Sequence, residues 1–277
     1  MSRRLRSLRA RPAPDTRGGM RKLLVLIAVL CLALAPRGAW ALADDPRQAL
    51  LDLDANARVF EQIRYGAVRV TTVNDTRTQE RWFFASEGGG HFRVDYVGDT
   101  TRQLVCDGAV LWDYVPAMRA AQRVELSALS AEERAATVSR VLGKVALPGV
   151  RTGLDASGMT DVAWGEDGAI EGRPTRTINA TDARGGKLSY TLDAERGYLV
   201  ASRIEENGEF LVSVESLDHR EVAPGVWVPY RVVSTSPALG GKVRAELQLN
   251  QVAVGQDLPD TLFEMKLDPS VQVRRVP

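Results

Sequence analysis

From Tyr65 onward this chain alternates apolar and polar residues with a period of two, and turn-forming residues interrupt the alternation about every ten residues. Val68-Val70, Trp82-Phe84, Phe92-Val94-Tyr96, Leu104-Cys106 and Val110-Trp112-Tyr114 each place apolar side chains on one face. Arg69, Thr71, Arg81, Arg93 and Asp95 fall on the other. That period fits half-buried strands, whose successive side chains point to opposite faces, and does not fit a helix. Asn74-Asp75, Gly88-Gly89-Gly90, Gly98-Asp99 and Asp107-Gly108 punctuate the runs, the last being a strong hairpin signal. The reading is a five-strand antiparallel meander. Strands resume at Val162-Trp164, separated by turn signals at Glu166-Asp167-Gly168, Gly185-Gly186, Glu195-Arg196-Gly197, Glu206-Asn207-Gly208, Pro224-Gly225 and Gly240-Gly241. One continuing antiparallel sheet of about ten or eleven strands is expected.

Two segments break this rhythm. Asp45 is a good N-cap with Pro46 at the first helical position, and Leu50, Leu53, Ala57, Phe60 and Ile63 follow at helical spacing. Ser130 and Glu133 form a capping box ahead of Ala135, Val138, Val141 and Leu142, with a stop near Gly143. Residues 148–160, rich in Gly, Pro, Ser and Thr, read as a loop.

Met20-Arg21-Lys22, the apolar run Leu23–Ala35 and the small residues of Ala41-Leu42-Ala43 have the layout of a secretory signal peptide cleaved near Ala43. The run is too short for the roughly 20 residues of a membrane-spanning helix. Residues 1–19 read as sequence upstream of a start at Met20 or as an extended basic leader. The expected organisation is a signal peptide over 1–43 and one exported domain over 44–277. Nine of the 36 Lys and Arg and one of the 35 Asp and Glu lie in 1–43, so the remainder carries 27 against 34, near −7. A net acidic chain argues against a nucleic-acid partner, which calls for a basic face. Only Cys106 survives maturation, so no disulfide forms within the mature chain and stability rests on packing.

Catalytic chemistry has little to work with. His91 and His219 are far apart, and no metalloprotease, redox, nucleophile-elbow or phosphate-loop motif occurs. The expectation is therefore a non-enzyme with no catalytic residues, no metal and no cofactor. What the sequence does offer is an apolar sheet face with two helices to cover it. Such a face is either a closed core or an open cleft for an apolar ligand. An acyl chain of about 15 methylenes gains on the order of 10 kcal/mol on leaving water.

Asp107-Gly108-Ala109-Val110-Leu111-Trp112-Asp113-Tyr114-Val115-Pro116 resembles the D-G-x-x-L-W-x-Y-x-P element of the periplasmic lipoprotein carrier LolA and its relatives. Tyr65-Gly66, Phe92-Arg93-Val94-Asp95-Tyr96 and Leu262-Phe263 with Pro269, Val271 and Val273 follow the same order, and Gly225-Val226-Trp227-Val228-Pro229-Tyr230 resembles a strand of the outer-membrane lipoprotein-sorting proteins. The resemblance implies a mainly β fold, a curved antiparallel sheet forming a half-open barrel (LolA/LolB/RseB-like) with helices over its concave face. It implies a monomeric carrier of lipid or lipoprotein acyl chains, loaded by an inner-membrane transporter and unloaded to an outer-membrane acceptor. An RseB-like regulatory or scaffolding module is the alternative. The expected lipid-binding residues are Val68, Val70, Trp82, Phe84, Phe92, Val94, Tyr96 and Leu104, in a cleft expected to be open. In the carriers an arginine and a proline precede the Phe92 strand and help hold the lid closed; here Glu87-Gly88-Gly89-Gly90 stands there.

Overall fold

The structure, a computed structural model, describes residues 42–98, 101–142, 158–237 and 243–276. Leaving aside Leu42 and Ala43, the signal-peptide reading falls outside them, as do Gly143, the turn at Gly240-Gly241 and most of the 148–160 loop. Among the described residues the chain runs α1 (Pro46–Ala57), β1 (Gln62–Val73), β2 (Thr76–Gly88), β3 (His91–Val97), β4 (Arg102–Asp107), β5 (Val110–Val115), β6 (Ala120–Glu125) and α2 (Ala131–Leu142). The second half is β7 (Thr160–Ile170), β8 (Arg173–Thr181), β9 (Lys187–Asp193), β10 (Leu199–Glu206), β11 (Glu209–Ala223), β12 (Val226–Ser236), β13 (Val243–Val254) and β14 (Gln272–Val276).

All fourteen strands form one curved sheet in the order β14-β6-β5-β4-β3-β2-β1-β13-β12-β11-β10-β9-β8-β7. The five-strand meander is present, each member paired antiparallel to the next. Two strands escape a period-two reading, Ala-Ala-Gln-Arg-Val-Glu of β6 and Gln-Val-Arg-Arg-Val of β14, because neither has a regular apolar face. They are held by edge pairing instead, and β14 joins β6 in parallel.

The turns follow backbone chemistry. Asn74 and Asp75 both take positive φ (43° and 69°), the combination a two-residue hairpin requires. At the β4–β5 hairpin Asp107 Oδ1 accepts from the Ala109 and Val110 amides at 2.9 and 2.7 Å. Glu166-Asp167-Gly168 is not a turn: it lies inside β7, absorbed by a register shift between Trp164 and Asp167. The chain reverses later, at Glu171-Gly172.

Both helices form at their capping signals. Asp45 Oδ1 accepts from the Arg47 amide at 3.1 Å, and α1 ends at Ala57, earlier than its apolar spacing suggests. A 3₁₀ turn, Arg58–Glu61, carries Phe60, and Ile63 already belongs to β1. At α2 the Glu133 carboxylate accepts from the Ser130 amide at 2.9 Å while Ser130 Oγ accepts from the Glu133 amide at 3.2 Å. The two bonds are the reciprocal pair of a capping box.

Candidate functional site

Register assigns every side chain to a face. Tyr65 lies opposite Phe84 and Ala67 opposite Trp82; Phe84 lies opposite Val94, Val94 opposite Leu104, and Cys106 opposite both Phe92 and Leu111. These residues form a continuous apolar floor on the helix-covered face, which β13 and β12 extend through Leu247, Leu249, Val228 and Val232. The rings interlock, Tyr65 with Phe84 at 5.1 Å between centroids and Trp82 with Tyr96 at 6.2 Å. Burial pushes the Tyr65 phenol well above its ordinary range and the Cys106 thiol up to about 11.

Above this floor sit Leu142 and Val138 of α2, Leu126 and Leu129 of the segment before it, and Phe60. The cover is slight: α2 contributes one side of a short helix, and Arg134 Nε donates to the Leu126 carbonyl at 3.1 Å to tie it to its own leading segment. The farther half of the sheet has a second apolar cluster, Ile178, Ala180, Leu188, Tyr190, Leu192 and Leu199, on which α1 packs with Ala49, Leu50 and Leu53. Trp164 Nε1 donates to the Asp44 carbonyl at 2.7 Å and Arg47 to the Met159 carbonyl at 3.0 Å, fastening the start of α1 to that half.

The first floor ends in a polar rim. Beyond Trp82 the inner face carries Tyr96 between two ion pairs: Arg69 Nε and Nη2 both donate to Glu80 Oε2, and Arg102 pairs in bidentate fashion with Asp113 at 2.7 and 2.5 Å. Burial raises the Tyr96 phenol, with the Arg69 and Arg102 charges opposing the shift and the Glu80 and Asp113 charges adding to it. An apolar floor closed by a rim of fixed charges suits an amphiphile with its tail inside and its head at the rim.

Six of the eight expected site residues, Trp82, Phe84, Phe92, Val94, Tyr96 and Leu104, share this inner face. Val68 and Val70 do not join them: they pair with Arg81 and Gln79 and lie on the outer face. The inner phase of β1 is set by Ile63, Tyr65 and Ala67, with Arg69 following over the Trp82 ring at 5.2 Å. Nor is the floor an open cleft. Phe92 is 1% exposed and Val94 0%, both shut beneath the cover. Cys106 and His91 point to opposite faces, so they form no pair. On β5 it is Leu111 that enters the core, while Trp112 lies outside under the Arg123 guanidinium at 5.4 Å.

Sequence reasoning missed a second feature near α1. Leu53, Asn56, Ala57 and Phe60 meet Tyr198, His219 and Trp227 around a small cavity of ≈ 70 Å³. Tyr198 and His219 stack at 4.0 Å, and Arg196 covers Trp227 at 4.4 Å. His219 Nε2–H donates to the Leu199 carbonyl at 3.2 Å, and burial pushes its imidazole down to about 4. The turn residues Glu195-Arg196-Gly197 and the Gly225-Val226-Trp227 strand were the available signals, although nothing in their spacing joins them.

No family model matches the chain, and no curated protein sequence matches it. Solved structures do. A LolA superfamily protein from Nitrosomonas europaea superposes with a TM-score of 0.51 at 15% identity, covering 79% of this chain and 97% of its own. A DUF1329 family protein from Desulfovibrio piger gives 0.50 at 13% identity, covering 79% and 98%. A domain assigned to outer membrane lipoprotein-sorting proteins, from Vibrio parahaemolyticus, gives 0.51 at 11%, covering 78% and 95%. At these identities the likeness is one of fold, and the fold of this chain is the LolA-like half-open barrel, a curved antiparallel sheet with helices over its concave face.

Proposed function

We propose that this protein is a non-enzymatic carrier that takes lipid or lipoprotein acyl chains onto the floor around Phe92 and Val94, serving transport or sorting between the two membranes of the periplasm. One observation supports this reading above the others: a continuous apolar sheet face, long enough for an acyl chain, has over it a short capped helix and two leucines instead of a second sheet. Ligand enters by displacing α2, not by filling a standing cleft. The chain gains on the order of 10 kcal/mol by leaving water, against a few kcal/mol for lifting the side chains of the cover. The Tyr96 rim receives the head group, and an inner-membrane donor and an outer-membrane acceptor complete the route. No helix among the described residues is long and apolar enough to cross a membrane.

Native mass spectrometry of the protein gently extracted from cells tests the proposal. Co-purified lipid that a fluorescent fatty acid displaces, with quenching of Trp82, supports it. An apo mass together with failure to take up the fatty acid sinks it, and a stable protein partner in that apo state would favour the regulatory module.

A further inference from the structure

The outer face of the sheet carries a second feature, built from residues the carrier reading does not use. Strands β2, β1, β13 and β12 lie side by side there, and their register sets three rows. In the first, Arg81, Val68, Gln248 and Arg231 are neighbours; in the second, Gln79, Val70, Glu246 and Val233; in the third, Arg77, Thr72, Arg244 and Thr235. The β2, β1 and β13 members of these rows line a groove of ≈ 530 Å³ with Val68 and Val70 on its floor, and the β12 members flank it.

Its charge runs against that of the molecule. Residues 44–277 are net acidic, yet the rows hold four arginines and one carboxylate. Glu246 is shared: Arg231 Nε donates to it at 3.0 Å and Arg244 lies 3.6 Å away. Burial raises its pKa, but the Gln248 hydrogen bond and the Arg231 and Arg244 charges more than offset this and hold the carboxyl below its ordinary range. On the opposite wall, Arg77 and Arg81 pair with no carboxylate among the described residues, and Arg81 is steadied only by the Gln79 side-chain amide, whose oxygen accepts at 3.0 Å in its satisfied orientation. The C-terminal segment covers the outer face elsewhere, where Arg93 Nη1 donates to the Leu262 carbonyl at 3.2 Å and Phe263 is buried.

We infer that this groove docks an extended acidic peptide segment of a partner protein. The spacing sets its pattern. Strand residues rise about 3.3 Å each, so Thr72 and Val68, four residues apart, are separated by about 13 Å, as are same-side residues i and i+4 of an extended peptide lying along them. A carboxylate at i sits between Arg77 and Arg244 above Thr72, and one at i+4 sits beside Arg81 above Val68. The side chain at i+2 meets Val70 next to Glu246, so it is apolar and not acidic. A recessed valine floor between arginine walls favours a narrow chain over a flat bilayer, which touches what protrudes.

The test uses the full-length mature protein and a fluorescein-labelled heptapeptide of serines with glutamate at its second and sixth positions and valine at its fourth. A control peptide carries the same residues with the glutamates at the third and fifth. The patterned peptide binds, binding weakens with added salt, and Arg77→Glu and Arg244→Glu each lower its affinity by about tenfold while far-ultraviolet circular dichroism stays unchanged. Milder Arg77→Gln guards against misfolding and shows a smaller loss in the same direction. Equal binding of the two peptides, no binding of either, or indifference to both arginine variants overturns the inference. So does arginine-dependent binding to phosphatidylglycerol vesicles without peptide binding, which would make the face a membrane contact.

Discussion

Truncating the cover should strengthen ligand binding while weakening the fold. Leu142 of α2 is 9% exposed and packs into the cluster containing Phe92 and Val94. If an acyl chain reaches the floor only when α2 lifts, the Leu142 contact exists in the closed state and is already broken in the state that binds. Leu142→Ala then removes stabilisation from the closed state alone. A buried Leu→Ala costs roughly 2–5 kcal/mol, and a site at the edge of the cluster belongs at the low end, about 2 kcal/mol. While the closed state remains dominant, the whole of that difference appears as affinity, about 30-fold tighter at 1.4 kcal/mol per factor of ten. The same loss should lower the melting temperature by roughly 4–8 °C for a domain of this size. A fluorescent fatty-acid titration alongside calorimetry reads both. Ile178→Ala, in the cluster beneath α1, is the control: it is 0% exposed, so it should lower the melting temperature without tightening binding. Affinity for Leu142→Ala that falls, or stays level, while the melting temperature drops would refute the displaced-helix route.

Three further outcomes follow from burial. Val94→Glu places a carboxyl where exposure is 0% and should cost several kcal/mol, so the variant is expected to be largely insoluble or unfolded; a soluble Val94→Glu protein with unchanged melting behaviour would show the floor to be open. Leu111→Ala should destabilise more than Trp112→Ala in denaturant titrations, by about 2 kcal/mol or more against about 1, since Leu111 is in the core and Trp112 is half-buried outside it. The His219 imidazole, pushed by burial below its ordinary value of 6.5 to about 4, adds stability that is fully present above pH ~6.5 and is lost as the pH falls through about 4. The loss amounts to about 3 kcal/mol, and His219→Phe, which keeps the stacking on Tyr198, should flatten that slope in melting curves taken across the range.

The strands were legible because turn chemistry and alternation agreed, as at Asn74-Asp75 and Asp107-Gly108. The face each strand shows was legible only where one phase alone is apolar. β3 is such a case, Phe92, Val94 and Tyr96 against Arg93 and Asp95, and its assignment holds. β1 is not: Tyr65 and Ala67 occupy one phase, Val68 and Val70 the other, and pairing of Tyr65 with Phe84 decides between them. β5 is ambiguous in the same way, with Leu111 against Trp112 and Tyr114, until Cys106 lies opposite Leu111. Closure of the floor was not legible at all, because Leu126 and Leu142, which join the cluster of Phe92 and Val94, come from a segment distant in sequence whose packing no local pattern encodes. The outer groove was hidden for a related reason: its arginines, Arg77, Arg81 and Arg244, come from two strands distant in sequence and align only through register.

The strand order has a kinetic meaning. From β1 to β6 and from β7 to β13, every neighbour in the sheet is also a neighbour in sequence, so each half can grow hairpin by hairpin with little loop to close. The antiparallel seam between the halves is different, joining Thr71 to Ala245 and Ala67 to Leu249. Loop closure across so long a separation is slow, and non-local strand pairing is the step that topology makes rate-limiting. Gly66 marks that seam: the register shifts beside it, and the Asn250 side chain occupies the place a Cβ would take. During synthesis the first half therefore waits, with one flank of β1 bare, for a partner that emerges only after β7 to β12, and until β13 arrives that flank is exposed to pairing with the wrong strand.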